Sequence, residues 1–153
     1  MNSLKSKQMQ LDDLMPIIRE TLAEGKTVTF SPMGISMLPM LRQGVDTVTL
    51  SPLPEKLKKY DLPLYRRDNG QYVLHRVTDV GETYTCMGDN QFVPEPGLRQ
   101  EQMIALVTAF TRGEKAYRVE SLPYKAYCRV WHHTRFFRHV WRRIKNKLRR
   151  CLG

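Results

Sequence analysis

A mostly β, α+β fold is predicted: a coiled antiparallel sheet or small barrel, with one helix before it and one after it. Three observations predict it. Between residues 26 and 120, short β-rich runs alternate with turn residues and leave little room for helix. Residues 11–24 carry apolar side chains at helical spacing. Residues 124–151 do so again, against a background of Arg and Lys. The expected organisation is therefore an N-terminal helix over 1–25, a β body over 26–120 and a basic amphipathic helical tail over 121–153.

The elements follow in order. Leu11, Leu14, Ile18 and Leu22 fall on one helical face, Asp12 and Asp13 favour an N-terminus, and Gly25 is a good terminator. Pro16 is easiest to accept in a first turn, which predicts a start near Asp13. Strand signals cover Thr27–Phe30, Thr47–Leu50, Leu64–Arg66, Gln71–Thr78, Glu82–Met87, Met103–Thr111 and Ala116–Val119. Asp68-Asn69-Gly70 separates two of these runs and reads as a hairpin turn. In the tail, Pro123 marks the entrance, Val130, Phe137, Ile144 and Cys151 recur every seven residues, and Gly153 closes it.

The chain has 153 residues, enough for one domain with its own core. Its net charge of +10 is unevenly placed. Ten of the 25 basic residues lie after Glu120 and none of the 15 acidic ones do, so the first 120 residues carry 15 of each. A neutral body with a basic appendage argues against a uniformly basic nucleic-acid binder. No apolar run approaches the roughly 18 residues of a membrane span, and the N-terminus does not read as a secretory signal. Three cysteines make no disulfide framework and fit a reducing, cytoplasmic setting.

Chemistry concentrates in Gly34-Ile35-Ser36-Met37-Leu38-Pro39. A serine between glycine and proline after a strand sits on a constrained turn that can present its hydroxyl and its N–H together. A serine nucleophile needs both an activating base and an oxyanion donor. The segment resembles the Gly-x-Ser-Met-x-Pro box of signal peptidases and their LexA-like relatives. The resemblance continues in order. Gly44-Val45-Asp46-Thr47-Val48 is similar to the Gly-Asp-x-Val strand with one insertion. Tyr60-Asp61-Leu62-Pro63-Leu64 is similar to Gly-Asp-Ile-Val, with tyrosine for glycine. Val73-Leu74-His75-Arg76-Val77 matches the His-Arg-Val strand. Cys86-Met87-Gly88-Asp89-Asn90 matches Lys-Gly-Asp-Asn without its lysine, and Ile104-Ala105-Leu106-Val107 resembles the closing strand. Together these cover about residues 28–111.

The resemblance implies a serine protease with Ser36 as nucleophile. It implies His75 as general base, as in the endoplasmic-reticulum and archaeal subtype. An imidazole titrating near 6.5 can take the serine proton at neutral pH, so activity is expected to fall as pH drops through roughly 6–7. Ser36 and His75 are expected within about 4 Å of one another. For the acid that orients the histidine, the resemblance favours Asp89, with Glu95, seven positions after Gly88, as the alternative. The Ser36 N–H is the expected oxyanion donor. No cofactor and no metal are implied; His132 and His133 are adjacent but lack a ligand cluster.

The function expected is cleavage of a leader or signal segment of a precursor peptide or protein. The alternative is a non-proteolytic peptide-binding or regulatory module on the same fold. The tail has two readings of equal standing. Either Trp131, Phe137 and Trp141 insert at an anionic membrane surface, holding a cytoplasmic enzyme peripherally, or they pack on the body and leave a solvated basic face. Nucleic acid ranks behind both.

Overall fold

The computed structural model describes the backbone of residues 2–151 and the side chains of residues 11–149. Gly153, expected to close the tail, lies outside the described residues. Helix α1 (Asn2–Ala23) leads into β1 (Val28–Phe30), β2 (Val48–Ser51), β3 (Pro63–Arg66), β4 (Tyr72–Leu74), β5 (Arg76–Val80), β6 (Tyr84–Met87), β7 (Glu95–Leu98), β8 (Met103–Arg112) and β9 (Lys115–Arg118). Helices α2 (Leu122–His133) and α3 (Arg135–Cys151) follow. The α+β class is as expected, and all pairings are antiparallel. The strands do not close into a barrel. They form one sheet ordered β1-β2-β8-β3-β4, with β9 also on β8, and a second ordered β5-β6-β7.

Three differences from expectation have physical reasons. The helix expected to start near Asp13 begins at Asn2 and carries Pro16 in its interior. A proline removes one N–H from the ladder without having to end it, and burial of Met15, Ile18 and Leu22 holds the helix on the body. Leu14, expected on that face, is exposed instead. Next, the single strand expected over Gln71–Thr78 is two, divided at His75, with β4 in the first sheet and β5 in the second. Last, β7 contains Pro96 and Gly97, which read against strand, but it is an edge strand and needs fewer ladder bonds.

The one tail helix expected is broken at Thr134, whose hydroxyl and N–H both turn back to the carbonyl of Val130. Its two halves behave differently. Tyr124 and Cys128 of α2 are buried against α1, β2 and β8 in the larger core, whereas Phe136, Phe137 and Trp141 of α3 are exposed. A smaller core gathers Leu57, Tyr65, Val77, Tyr84, Cys86 and Met103 between the two sheets.

Candidate active site

The segment from Met33 to Asp46 has no regular structure and is held at its apolar residues. Met37, Met40 and Leu41 are buried in the larger core, while Met33 and Ile35 remain exposed and Ser36 half-buried. Gly34 has a φ of 98°, a conformation that a side chain strains, and its N–H donates to Gln43 Oε1 at 2.9 Å. Asp46 closes the segment. It is fully buried, pairs with Arg42, and accepts the N–H of Arg42 and of Gly113 across the molecule. Those bonds, the guanidinium first, hold its carboxyl down at about 2.

The Gly88–Gln91 turn backs the serine. Asn90 N–H donates to Ser36 O at 2.8 Å and Asn90 Nδ2 to Ile35 O at 3.2 Å. Gly88 is pressed so close that a Cβ on it would lie 2.6 Å from Ser36 O and 3.1 Å from Ser36 Cβ. Glycine is required there by contact rather than by dihedral angle. Among the described residues the Ser36 N–H has no hydrogen-bond acceptor.

Ser36 and His75 open onto one cavity of about 600 Å³. Its walls are largely apolar, with Phe30, Met33, Ile35 and Val73 among them, and strands β1 and β4 border it. Both strands are edges of the first sheet. Among the described lining residues, His75 is the one side chain with a neutral, basic nitrogen at neutral pH. No hydrogen bond joins Ser36 Oγ to His75 among the described residues, so the two share a cavity without being in contact through a bond.

Behind His75 lies a chain of polar groups. His75 Nδ1 is 3.3 Å from Tyr65 Oη and 4.0 Å from Glu95 Oε2. Tyr65 Oη donates to Glu95 Oε2 at 2.8 Å, and Arg67 donates to both Glu95 oxygens at 2.7 and 2.6 Å. The guanidinium beside it holds Glu95 below the usual carboxylate range, so the acid is ionised. The tyrosine proton is thus committed to the carboxylate, and Tyr65 Oη can only accept from His75. Nδ1 therefore carries the imidazole proton, and Nε2 is the free basic nitrogen. Burial, with the nearby Arg67 charge, pushes His75 down to about 4. The ring is neutral throughout the range 6–7 in which it was expected to titrate. The carboxylate behind it favours the imidazolium when a proton arrives.

Asp89 occupies a different place from the one the resemblance implies. Its carboxylate accepts from Arg76 Nε and Nη2, both at 2.8 Å, and from Tyr127 Oη at 2.9 Å. Its carbonyl receives Trp131 Nε1 at 2.8 Å. Of the two acids, Glu95 faces His75, and Asp89 faces α2. Sequence reasoning missed Tyr65 and Arg67 altogether. Tyr65 pairs with Val73 across the β3–β4 hairpin, so it lies diagonally across from His75 on the same face. His132 sits edge-on against Tyr60, and among the described residues it belongs to no cluster of metal-ligating side chains. Burial raises Cys86 to about 12, which leaves it a poor nucleophile.

In comparisons with known proteins, the chain matches no family model and no curated protein.

Proposed function

We propose that the protein is a serine endopeptidase of the signal-peptidase type that cleaves a leader or signal segment of a precursor. Ser36 Oγ attacks the scissile carbonyl and gives its proton to His75 Nε2. The tetrahedral oxyanion is met by the free Ser36 N–H, and the imidazolium returns its proton to the leaving amine. Tyr65, Glu95 and Arg67 hold the ring and its charge from behind, with Glu95 in the role of the acid. The observation that carries this reading is the pairing in one apolar cavity of a half-buried serine and a neutral histidine whose Nδ1 is already engaged. The edges of β1 and β4 supply main-chain partners for an extended substrate. The absence of a Ser36–His75 bond does not count against this reading, since such bonds often tighten only in the complex.

A fluorophosphonate probe tests this without knowledge of the substrate, because it reacts only with an activated serine. Wild type is expected to be labelled on Ser36, and Ser36→Ala to remain unlabelled. The missing bond also suits the second reading, a peptide-binding module. A wild type that resists the probe while both proteins retain peptide binding would establish that second reading instead.

A further inference from the structure

Helix α3 is attached to the body in an unusual sense. Arg135, Arg138, His139 and Arg142 turn toward it: Arg138 contacts the Trp131 and Asp89 carbonyls, His139 meets Phe92 edge-on with centroids 4.7 Å apart, and Arg142 lies over the Phe92 ring at 5.5 Å. Arg138 also caps the Trp131 ring at 3.5 Å. These four residues occupy one face of the helix. The opposite arc, about 140° wide at 3.6 residues per turn, holds Phe136, Val140, Ile144, Phe137, Leu148 and Trp141. It points to solvent, with Phe137 73% and Trp141 68% exposed. A surface helix normally turns its apolar stripe inward; α3 does the reverse. Arg143 and Lys145 border the arc on its two sides, and Lys147 falls just inside its Phe136 edge.

We propose that α3 is an interfacial helix that lies on an anionic lipid bilayer, its apolar arc at the boundary between headgroups and acyl chains and its lysines on the phosphates. The occupant has to be apolar and anionic at once. The helix carries eight Arg and Lys and no acidic residue. A second copy of α3 would bring its like charge with it. Nucleic acid would answer the charge and leave Trp141 and Phe137 in water. An anionic bilayer satisfies both. At 17 residues, α3 is about 25 Å long, and among the described residues no helix is long and apolar enough to cross a membrane, so α3 lies on the surface. The carbonyls of Asp89 and Asn90 that hold its basic face belong to the same turn that backs Ser36. A bilayer held by α3 therefore sits one turn away from the serine. The surface itself does not depend on the protease reading.

Flotation of the full chain with vesicles of phosphatidylcholine alone, or mixed with phosphatidylglycerol, tests the proposal. Expected is binding to the mixed vesicles only, weakened several-fold by raised salt, with a blue shift of tryptophan emission. The other tryptophan, Trp131, is already stacked on Tyr127, so the shift reports Trp141. Replacing both Phe137 and Trp141 by serine should cut binding at least about tenfold with no change in melting temperature, since both are exposed. Equal binding to neutral vesicles would overturn the anionic requirement. Binding that survives the double substitution would overturn the apolar contact. No vesicle binding, with a dimer lost on the double substitution, would show the arc to be an interface between copies. No vesicle binding, with capture of single-stranded RNA by wild type and variant alike, would make the partner a nucleic acid.

Discussion

His75 and Arg76 are sequence neighbours at the point where the chain leaves one sheet for the other, and they enter two clusters of nearly the same composition. On the cavity side are His75, Tyr65, Glu95 and Arg67. On the α2 side are Arg76, Asp89, Tyr124 and Tyr127. Each has an arginine fork on a carboxylate and a tyrosine hydroxyl on the same acid. What separates them is water. The Arg76 and Asp89 side chains are 3% and 2% exposed, while those of Arg67 and Glu95 are 29% and 27% exposed. The dry cluster also draws in Tyr124 Oη, Cys128 Sγ and Met40 Sδ around one guanidinium, leaving no open valence for a substrate. The wetter one ends in a histidine with a free nitrogen over a cavity. Residue types alone do not distinguish a structural knot from a candidate site; access to the cavity does.

The largest effect should fall on the dry cluster. Asp89→Asn leaves the Arg76 charge buried without its counter-ion, a loss of about 3–5 kcal/mol. For a chain of this size that lowers Tm by roughly 10 °C or more, readable by calorimetry. Probe labelling per folded molecule should not change. An Asp89→Asn protein that melts normally and cannot be labelled would exchange the roles of the two clusters and return the acid to Asp89.

On the cavity side the readout reverses. His75→Gln should slow labelling of Ser36 by at least about a hundredfold, the lower end for a general base. It should leave Tm at neutral pH nearly intact. In acid the same substitution should stabilise. Folding lowers His75 from 6.5 to about 4, so between those values the unfolded chain binds a proton that the folded protein refuses. That contribution is intact above pH 6.5 and is lost as pH falls toward 4, on the order of 3 kcal/mol in all. In urea unfolding the two proteins should therefore be nearly equal at pH 7, and His75→Gln should be the more stable at pH 4.5. Parallel loss in both would mean that His75 is not buried as a neutral ring.

Much of the fold was legible because its signals are local. Asn69-Gly70, the β-branched runs and the tail periodicity each report a few residues at a time. The candidate nucleophile and base, Ser36 and His75, stand out for a different reason: both sit in an ordered series of motifs that resembles a protease family. The choice between Asp89 and Glu95 stays open in the sequence, and Tyr65, which links Glu95 to His75, was not legible because its place depends on register. A two-residue Asn69-Gly70 turn would pair Asp68 with Gln71 and set Tyr65 opposite Leu74. The hairpin instead closes through residues 67–71, with Tyr65 opposite Val73. One residue of slip moves Tyr65 to the other face of the sheet, and His75 loses its partner. The strand that carries Glu95 was obscured by Pro94 and Pro96, which read against an edge strand. The tail could not be divided from sequence either, since Trp131 and Trp141 share one stripe and only the break at Thr134 sends them to different fates.

A finer test asks whether Tyr65 positions the ring or only fills space. Tyr65→Phe keeps the buried ring and removes the one hydroxyl that accepts from His75 Nδ1. Losing one hydrogen bond of this kind should slow labelling about tenfold. Glu95→Gln should act in the same direction while leaving Tm nearly unchanged, in contrast to Asp89→Asn. Full labelling by the phenylalanine variant would remove Tyr65 from the mechanism and leave Glu95, 4.0 Å from Nδ1, as the direct partner.

The smallest effect is the position of the acid limb, and it follows from which charges face His75. In the proposed mechanism the base works when neutral, so labelling should be flat from pH 8 down to about 5 and fall only as pH passes through about 4, where the ring takes a proton. Burial sets most of that displacement from 6.5. Arg67 adds to it, and Glu95 and Asp89 oppose it. Removing the cavity-side arginine in Arg67→Gln should therefore move the limb upward, toward the ordinary imidazole value. Removing the carboxylate in Glu95→Gln should move it downward. Each shift is read from the pH dependence of the probe's second-order rate constant, which reports the free protein. The two variants break the same ion pair, so a purely structural disturbance would move both limbs the same way. Opposite movements can come only from the charges themselves acting on a neutral histidine that serves as the base.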